Sequence, residues 1–348
     1  MRQSKNILIA PLNWGLGHAT RCIPIIKDLQ RQGYCIIIAS DGDALKLLQE
    51  EFPELAFEKL PSYNITYAKR SWLNRWHLFK QLLHIIRTVK QERQLTDELI
   101  KKYDLDLIIS DNRFGIYSPK IKSIYITHQL KVLSGWTTKI TTWIHAKIYN
   151  KYDEIWVPDV AGEPNLSGKL GHFSKSNKLK VRYIGILSRM KPKNLPKKYD
   201  VLAILSGPEP QRSQLEKKIL NQFKTLNLKT VLVRGIVNKN KKVENQHNTT
   251  IYDYMTGKEL EQLVNQSEAV ICRSGYSSVM DMASMRKKIL MIPTPGQDEQ
   301  EYLARHLAQH FQIKIQNQHK LNISKKTLAK LHLININIKT QKIKHLFT

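Results

Sequence analysis

Acidic residues are scarce in this chain. Over 348 residues, 29 aspartates and glutamates face 56 lysines and arginines, a formal charge of +27 that calls for an anionic partner or surface. Nucleic acid, an anionic membrane face and nucleotide phosphates all qualify. Cysteine is nearly absent: Cys22, Cys35 and Cys272 are odd in number, sit inside apolar runs and lack metal-ligand spacing. This argues against a disulfide framework or a thiolate metal site and predicts core thiols in a reduced, cytoplasmic protein. Long apolar runs are missing as well. No stretch reaches the ~20 consecutive apolar residues of a membrane span, and the short run after Met1–Lys5 does not read as a signal peptide. Glycine is missing where a dinucleotide loop would need it, since Gly15 and Gly17 open a G-x-G-x-x-G pattern whose third place is Thr20. That loop need not hold a pyrophosphate.

What is present is enough for packed cores: 41% of residues are hydrophobic, and the length is roughly twice a ~100–200-residue domain, which predicts two domains. Asn6–Leu12 reads as a strand, residues 13–20 as a glycine loop, and Cys22, Ile25, Ile26 and Leu29 as a helical stripe ending near Gly33. Strand, glycine loop and helix make a Rossmann opening, with His18 at the strand's carboxyl end, where open α/β sheets place their chemistry. Further strands are expected at Cys35–Ser40, Leu107–Ser110, Ser123–Thr127, Glu154–Pro158 and Val181–Gly185. The D-x-D runs at Asp41–Asp43 and Asp104–Asp106 read as a turn with a helix cap and a strand approach, so no metal or other cofactor is expected. Residues 68–93 stand apart, because Trp72, Trp76 and Phe79 recur at helical spacing among Lys69, Arg70, Arg75 and Lys80. A basic helix with tryptophans on one face suits an anionic membrane surface, and a core-facing amphipathic helix is the plain alternative.

Ser188–Lys198, rich in proline and lysine with no apolar period, reads as a linker between a first domain at 1–187 and a second at 199–316. The second domain opens with strand Val201–Leu205 and the turn Ser206–Arg212. Its centre is the stretch 269–302. An apolar strand, Ala269–Cys272, turns at Arg273-Ser274-Gly275 into a helix whose N-terminus suits a phosphate. Asp281 on that helix suits a ribose diol. A following strand, Lys288–Pro293, ends in a polar loop, Thr294–Glu301, that offers amides and carboxylates to sugar hydroxyls, and a helix is expected after Tyr302. Phosphate, ribose and sugar partners together point to a nucleotide sugar. The tail, 317–348, is rich in lysine and asparagine.

Cys272-Arg273-Ser274-Gly275, then Asp281, then Asp298-Glu299-Gln300-Glu301 resemble the glycosyltransferases of the two-Rossmann-domain (GT-B) fold and, within them, family 28, which includes the lipid-I N-acetylglucosaminyl transferases. The resemblance implies two doubly wound parallel-sheet α/β domains facing a cleft, the first for acceptor and the second for donor, with the last helices crossing back to the first domain. It implies that Asp281 holds the ribose and that Gln300 and Glu301 hold the donor sugar. Ser206, Gly207 and Arg212 lie where the family meets the donor diphosphate, and Met255 where a backbone meets the uracil. Arg273, with Arg212 and the helix-terminal amides, would stabilise the departing diphosphate.

The Gly15-Leu16-Gly17-His18 loop is similar to the G-x-G-H loop of these families, which implies that His18 faces the acceptor hydroxyl and that Asp111 pairs with it. His128-Gln129 is similar to the family's H-E-Q-N run on the acceptor side. Glu301 stands where the family has Gln, and Ala304 where it has Asn, so the donor sugar departs from N-acetylglucosamine. Ser110–Ser118 lacks the family's further glycine loop, so the acceptor departs from lipid I. The expected activity is inverting, metal-independent transfer from a UDP-sugar to a lipid-linked or envelope saccharide, in the cytoplasm at the inner face of the membrane. A nucleotide-sugar 2-epimerase and a catalytically silent sugar-nucleotide sensor are rival readings on the same fold. A nucleic-acid-binding protein is a third, but the basic residues are scattered and no nucleic-acid partner is expected.

Overall fold

The structure, a computed structural model, describes residues 5–64, 81–172, 180–236, 242–255 and 257–336. Among the described residues it divides into two compact units, the first ending at Leu187 and the second beginning at Ser188. The first half of the tryptophan helix expected over 68–93, with Trp72, Trp76 and Phe79, lies outside the described residues.

In the first unit the order is β1 (Asn6–Pro11), α1 (Gly17–Arg31), β2 (Cys35–Ser40), α2 (Gly42–Glu51), β3 (Ala56–Lys59), α3 (Leu82–Tyr103), β4 (Leu107–Asp111), β5 (Lys122–Ile126), α4 (Thr138–Tyr149), β6 (Glu154–Val157) and β7 (Val181–Tyr183). Its seven-stranded sheet runs β3-β2-β1-β4-β5-β6-β7, with every pair parallel. Parallel strands covered on both faces need near-continuous apolar runs. The interiors of β1 and β4 meet that need, with Leu8, Ile9, Ala10, Ile108 and Ile109 fully buried. The strand order reverses at β1, whose neighbours are β2 and β4, and Pro11 pairs with Asp111 across that junction. In a doubly wound sheet the crevice beyond the strand ends opens there. Helix α1 begins at Gly17, so His18 occupies its first turn and not a free loop.

The second unit follows as β8 (Tyr199–Ile204), α5 (Gln211–Phe223), β9 (Thr230–Val233), β10 (Val243–Gln246), β11 (Thr249–Tyr252), α6 (Gly257–Asn265), β12 (Ser267–Cys272), α7 (Tyr276–Met285), β13 (Lys288–Met291), α8 (Asp298–Phe311), β14 (Lys314–Ile315), α9 (Lys325–Ala329) and β15 (His332–Leu333). The sheet runs β10-β11-β9-β8-β12-β13-β14, with β15 also on β13. It is parallel except for β10 on β11 and β15 on β13. Its order reverses between β8 and β12, where Ile204 pairs with Cys272. The turns at 206–210 and 273–275 therefore leave the sheet side by side.

Several expectations change. Segment 188–198 belongs to the second unit and is tied to α6: the Lys191 amide donates to Glu261, the Lys193 amide to Asn265 Oδ1, and Asn265 Nδ2 to the Lys191 carbonyl. The tail up to residue 336 packs on the second unit, with Ile323 and Leu331 in its core and β15 on its sheet. Helix α8 starts at Asp298, earlier than expected, because Asp298, Glu299 and Glu301 in its first turn favour the positive end of the helix dipole. Cys22 and Cys272 are buried thiols, whereas Cys35, the first residue of β2, is exposed.

Candidate functional site

At the switch point of the first sheet, four side chains converge from three elements. The last residue of β4, Asp111, is completely buried; Arg21 on α1 and His128 after β5 are nearly so. His18 is 13% exposed, and its Nδ1 lies 2.7 Å from Asp111 Oδ1. Arg21 donates to both oxygens of the same carboxylate, from Nε to Oδ2 at 2.5 Å and from Nη2 to Oδ1. Its Nη2 also lies 2.9 Å from His18 Nδ1, and its Nη1 lies 3.0 Å from His128 Nδ1. The Cys22 thiol reaches Asp111 Oδ2 at 3.5 Å. Burial alone would raise the Asp111 carboxyl, but the Arg21 guanidinium and His18 hold it well below the ordinary carboxylate range. For His18, burial and then the Arg21 charge lower the pKa, outweighing the pull of Asp111. A neutral imidazole tethered through one nitrogen leaves the other able to take a proton.

Behind this cluster lies a second buried network. Arg113 donates to Asp41, to Glu92 at 2.7 Å and to the Pro11 carbonyl at 3.0 Å. Glu92 also accepts from the Tyr63 hydroxyl at 2.6 Å and the Gly115 amide at 2.9 Å. Asp41 stands between β2 and α2, so this network joins the ends of β1, β2 and β4 and fixes the frame on which His18 and Asp111 sit. Gly15 supplies a positive φ of 71° in the turn before α1, and Gly17 is that helix's first residue.

In the second unit, the donor residues expected from sequence fall into two groups. Ser274 and Gln300 meet: the Ser274 hydroxyl donates to the Gln300 carbonyl at 2.8 Å, and the Gln300 side chain accepts from the Thr294 amide at 3.0 Å. Gly275 caps α7 beside them, and Gly207, at φ 102°, approaches Thr294 closely enough that an added Cβ would lie 3.5 Å from its hydroxyl. Glu301 accepts from the Gly296 amide at 3.1 Å and braces the same loop. Asp281 accepts from the Ser188 hydroxyl at 2.6 Å, and burial pushes its carboxyl up against the opposing influence of Arg189. Ser206 is exposed and Met255 half-buried.

The two arginines expected on the diphosphate both have protein partners. Arg273 is buried, and its guanidinium donates to the carbonyls of Ile292, Pro293 and Gln211, while its Nε has no hydrogen-bond partner. Arg212 pairs with Glu209 and with Glu216 at 2.9 Å. Arg189, which the sequence hides in a Pro/Lys-rich segment, has buried Nε and Nη1 atoms with no hydrogen-bond partner. Such donors cost free energy unless an acceptor meets them, and an anionic ligand is the natural acceptor.

Arg21, paired with Asp111, and Arg189, with its unpartnered donors, are two residues that sequence reading did not single out. One face of α4 exposes Ile140 (59%), Trp143 (58%) and Ile144, with Lys147 Nζ 3.6 Å from the Trp143 ring centroid. Leu83 and Ile86 on α3 are exposed in the same unit. No described helix is long and apolar enough to cross a membrane.

Residues 203–344 match the glycosyltransferase family 28 C-terminal domain. An uncharacterized glycosyltransferase of Methanosarcina acetivorans is 21% identical over 313 residues, covering 85% of this chain and 81% of that protein. Among solved structures, the spinosyn forosaminyltransferase superposes with a TM-score of 0.58 at 13% identity over 92% of this chain and 88% of that one. MurG of Acinetobacter baumannii does so with a TM-score of 0.53 at 13% identity over 93% and 88%.

Proposed function

We propose that the chain is a glycosyltransferase of the GT-B fold, residues 203–344 being its family 28-like C-terminal domain, and that it transfers a hexose or N-acetylhexosamine from a UDP-sugar to a saccharide hydroxyl with inversion. The observation that carries the mechanism is the 2.7 Å contact of His18 Nδ1 with Asp111 at the first sheet's switch point. With Nδ1–H donated to the carboxylate, the lone pair on Nε2 takes the acceptor proton as the hydroxyl oxygen attacks the anomeric carbon. The bond from that carbon to the diphosphate oxygen breaks as the new glycosidic bond forms. The positive end of α7 and the unpartnered donors of Arg189 answer the charge on the departing diphosphate, a role that needs no metal ion. Asp281 holds the ribose, and Ser274 with Gln300 shapes the donor-sugar side. Arg273 and Arg212 act by fixing the loops.

A lipid-linked acceptor at an anionic leaflet fits the +27 charge and the exposed Ile140, Trp143 and Ile144 face. Trp72, Trp76 and Phe79 would add to that contact. Thermal-shift measurements with UDP and a panel of UDP-sugars test the donor reading, because a ligand bound only by the folded state raises the melting temperature. A shift with UDP that survives His18→Ala is the expected result. No shift with any nucleoside diphosphate would sink the reading.

A further inference from the structure

Resting on the reading of His18 as general base, we propose that Arg21 is a positioning residue that keeps Asp111 ionised and the His18 imidazole neutral, so that the base works in mildly acidic medium. A carboxylate beside a histidine ordinarily favours the imidazolium, and a lone His18–Asp111 pair would be protonated early on acidification. Here the carboxylate is shared. Both of its oxygens accept from the buried Arg21 guanidinium, and the oxygen that meets His18, Oδ1, also meets Arg21 Nη2. The same Nη2 lies 2.9 Å from His18 Nδ1.

That geometry permits two neutral forms of the ring. Nδ1 carries a proton and donates it to Asp111, or Nδ1 is bare and accepts from Arg21. A doubly protonated ring would add a positive charge beside the guanidinium in a nearly dry site, placing two positive groups within 3 Å of each other. Of the groups that face His18, Arg21 from its own helix and His128 from the segment after β5 disfavour the cation, whereas Asp111 from β4 favours it; the His128 Nδ1 is also held by Arg21. Cys22 approaches Asp111. The first-turn position of His18 on α1 likewise disfavours a cation. Asp111 thus orients the ring, while Arg21 offsets the rise in basicity that a bare carboxylate would cause.

The test is the ionisation of His18 in the full chain, followed by NMR of ¹⁵N-histidine with His18→Gln used only for assignment. In the wild type the His18 ring should titrate below the ordinary histidine value. In Arg21→Gln its titration should move upward by roughly 1–3 pH units, the usual effect of one close charge, and the acidic limb of kcat/KM for UDP-sugar hydrolysis should move with it. Arg21→Lys keeps the charge and should keep the acidic limb near its wild-type position even if turnover falls.

A wild-type His18 that titrates at or above the ordinary histidine value overturns the proposal, whatever the variants do. So does an Arg21→Gln protein that loses activity equally at every pH with its limb unmoved, which is the mark of a structural role. If Arg21→Gln does not fold, the wild-type titration and the Arg21→Lys limb decide between the same alternatives. The NMR readout needs no turnover, so its failure is separable from failure of the glycosyl-transfer reading.

Discussion

Replacing Asp281 by asparagine tests the donor half of the account with little disturbance to the fold. The side chains have nearly equal volume, and the amide oxygen can still accept from the Ser188 hydroxyl, which approaches to 2.6 Å. What disappears is the negative charge. Burial already pushes this carboxyl up, so neutralising it removes a desolvation penalty and should leave the urea midpoint almost unchanged. Binding is different, because a ribose diol bonded to a carboxylate makes charge-assisted hydrogen bonds worth about 1.5–3 kcal/mol, against about 1 for neutral partners. The difference, about 0.5–2 kcal/mol, corresponds to a roughly 2- to 30-fold weaker Kd for UDP. Isothermal titration with UDP, 2′-deoxy-UDP and 3′-deoxy-UDP reads this directly. The wild type should discriminate against at least one deoxy ligand, and Asp281→Asn should lose most of that discrimination. Equal weakening of all the ligands, or none, would refute the ribose assignment.

Arg113→Met should cost about 3–5 kcal/mol of unfolding free energy in a urea titration, because it strands the buried carboxylates of Asp41 and Glu92; a loss below about 1 kcal/mol would mean that these groups are solvated. His145, whose pKa burial lowers to about 4, should make the first unit acid-sensitive. The unfolded ring, near pKa 6.5, binds a proton that the folded one refuses, so stability is fully present above that value and falls by roughly 3 kcal/mol as pH drops towards 4. His145→Gln should flatten that slope, and an unchanged slope would contradict the assignment. Wild-type protein should sediment with phosphatidylserine vesicles, and an Ile140→Ser/Trp143→Ser variant should stay folded yet remain largely in solution; equal sedimentation would remove α4 from the membrane contact.

The central strands were legible because burial on both faces writes itself as apolar runs, and Asn6–Pro11, Leu107–Asp111 and Ser267–Cys272 stand close to where those runs place them. The strands β3, β10 and β15 were not. They carry Glu58 and Lys59, Glu244 and Asn245, or only His332 and Leu333, and their extension comes from pairing with a neighbour instead of local pattern. The site divides in the same way. His18 and Asp111 end predicted elements, so topology alone could bring them together. Arg21 reads as one basic residue among 56 on an otherwise apolar helical stripe. Only the arrival of Asp111 from β4 explains its burial. Gln300 and Glu301 were assigned to a loop because polar residues without an apolar period look like one. Their acidic neighbours instead begin a helix.

The central claim is that His18 deprotonates the nucleophile in a displacement that inverts the anomeric centre. The most direct measurement follows, by ¹H NMR, the first sugar released when the protein hydrolyses a panel of UDP-α-glucose, UDP-α-galactose and UDP-N-acetyl-α-glucosamine, with water standing in for the acceptor. The account predicts that the β anomer appears before mutarotation and that its rate falls by roughly 10²–10⁴ in His18→Ala while UDP affinity is kept. Release of the α anomer, or a rate indifferent to His18, would contradict it.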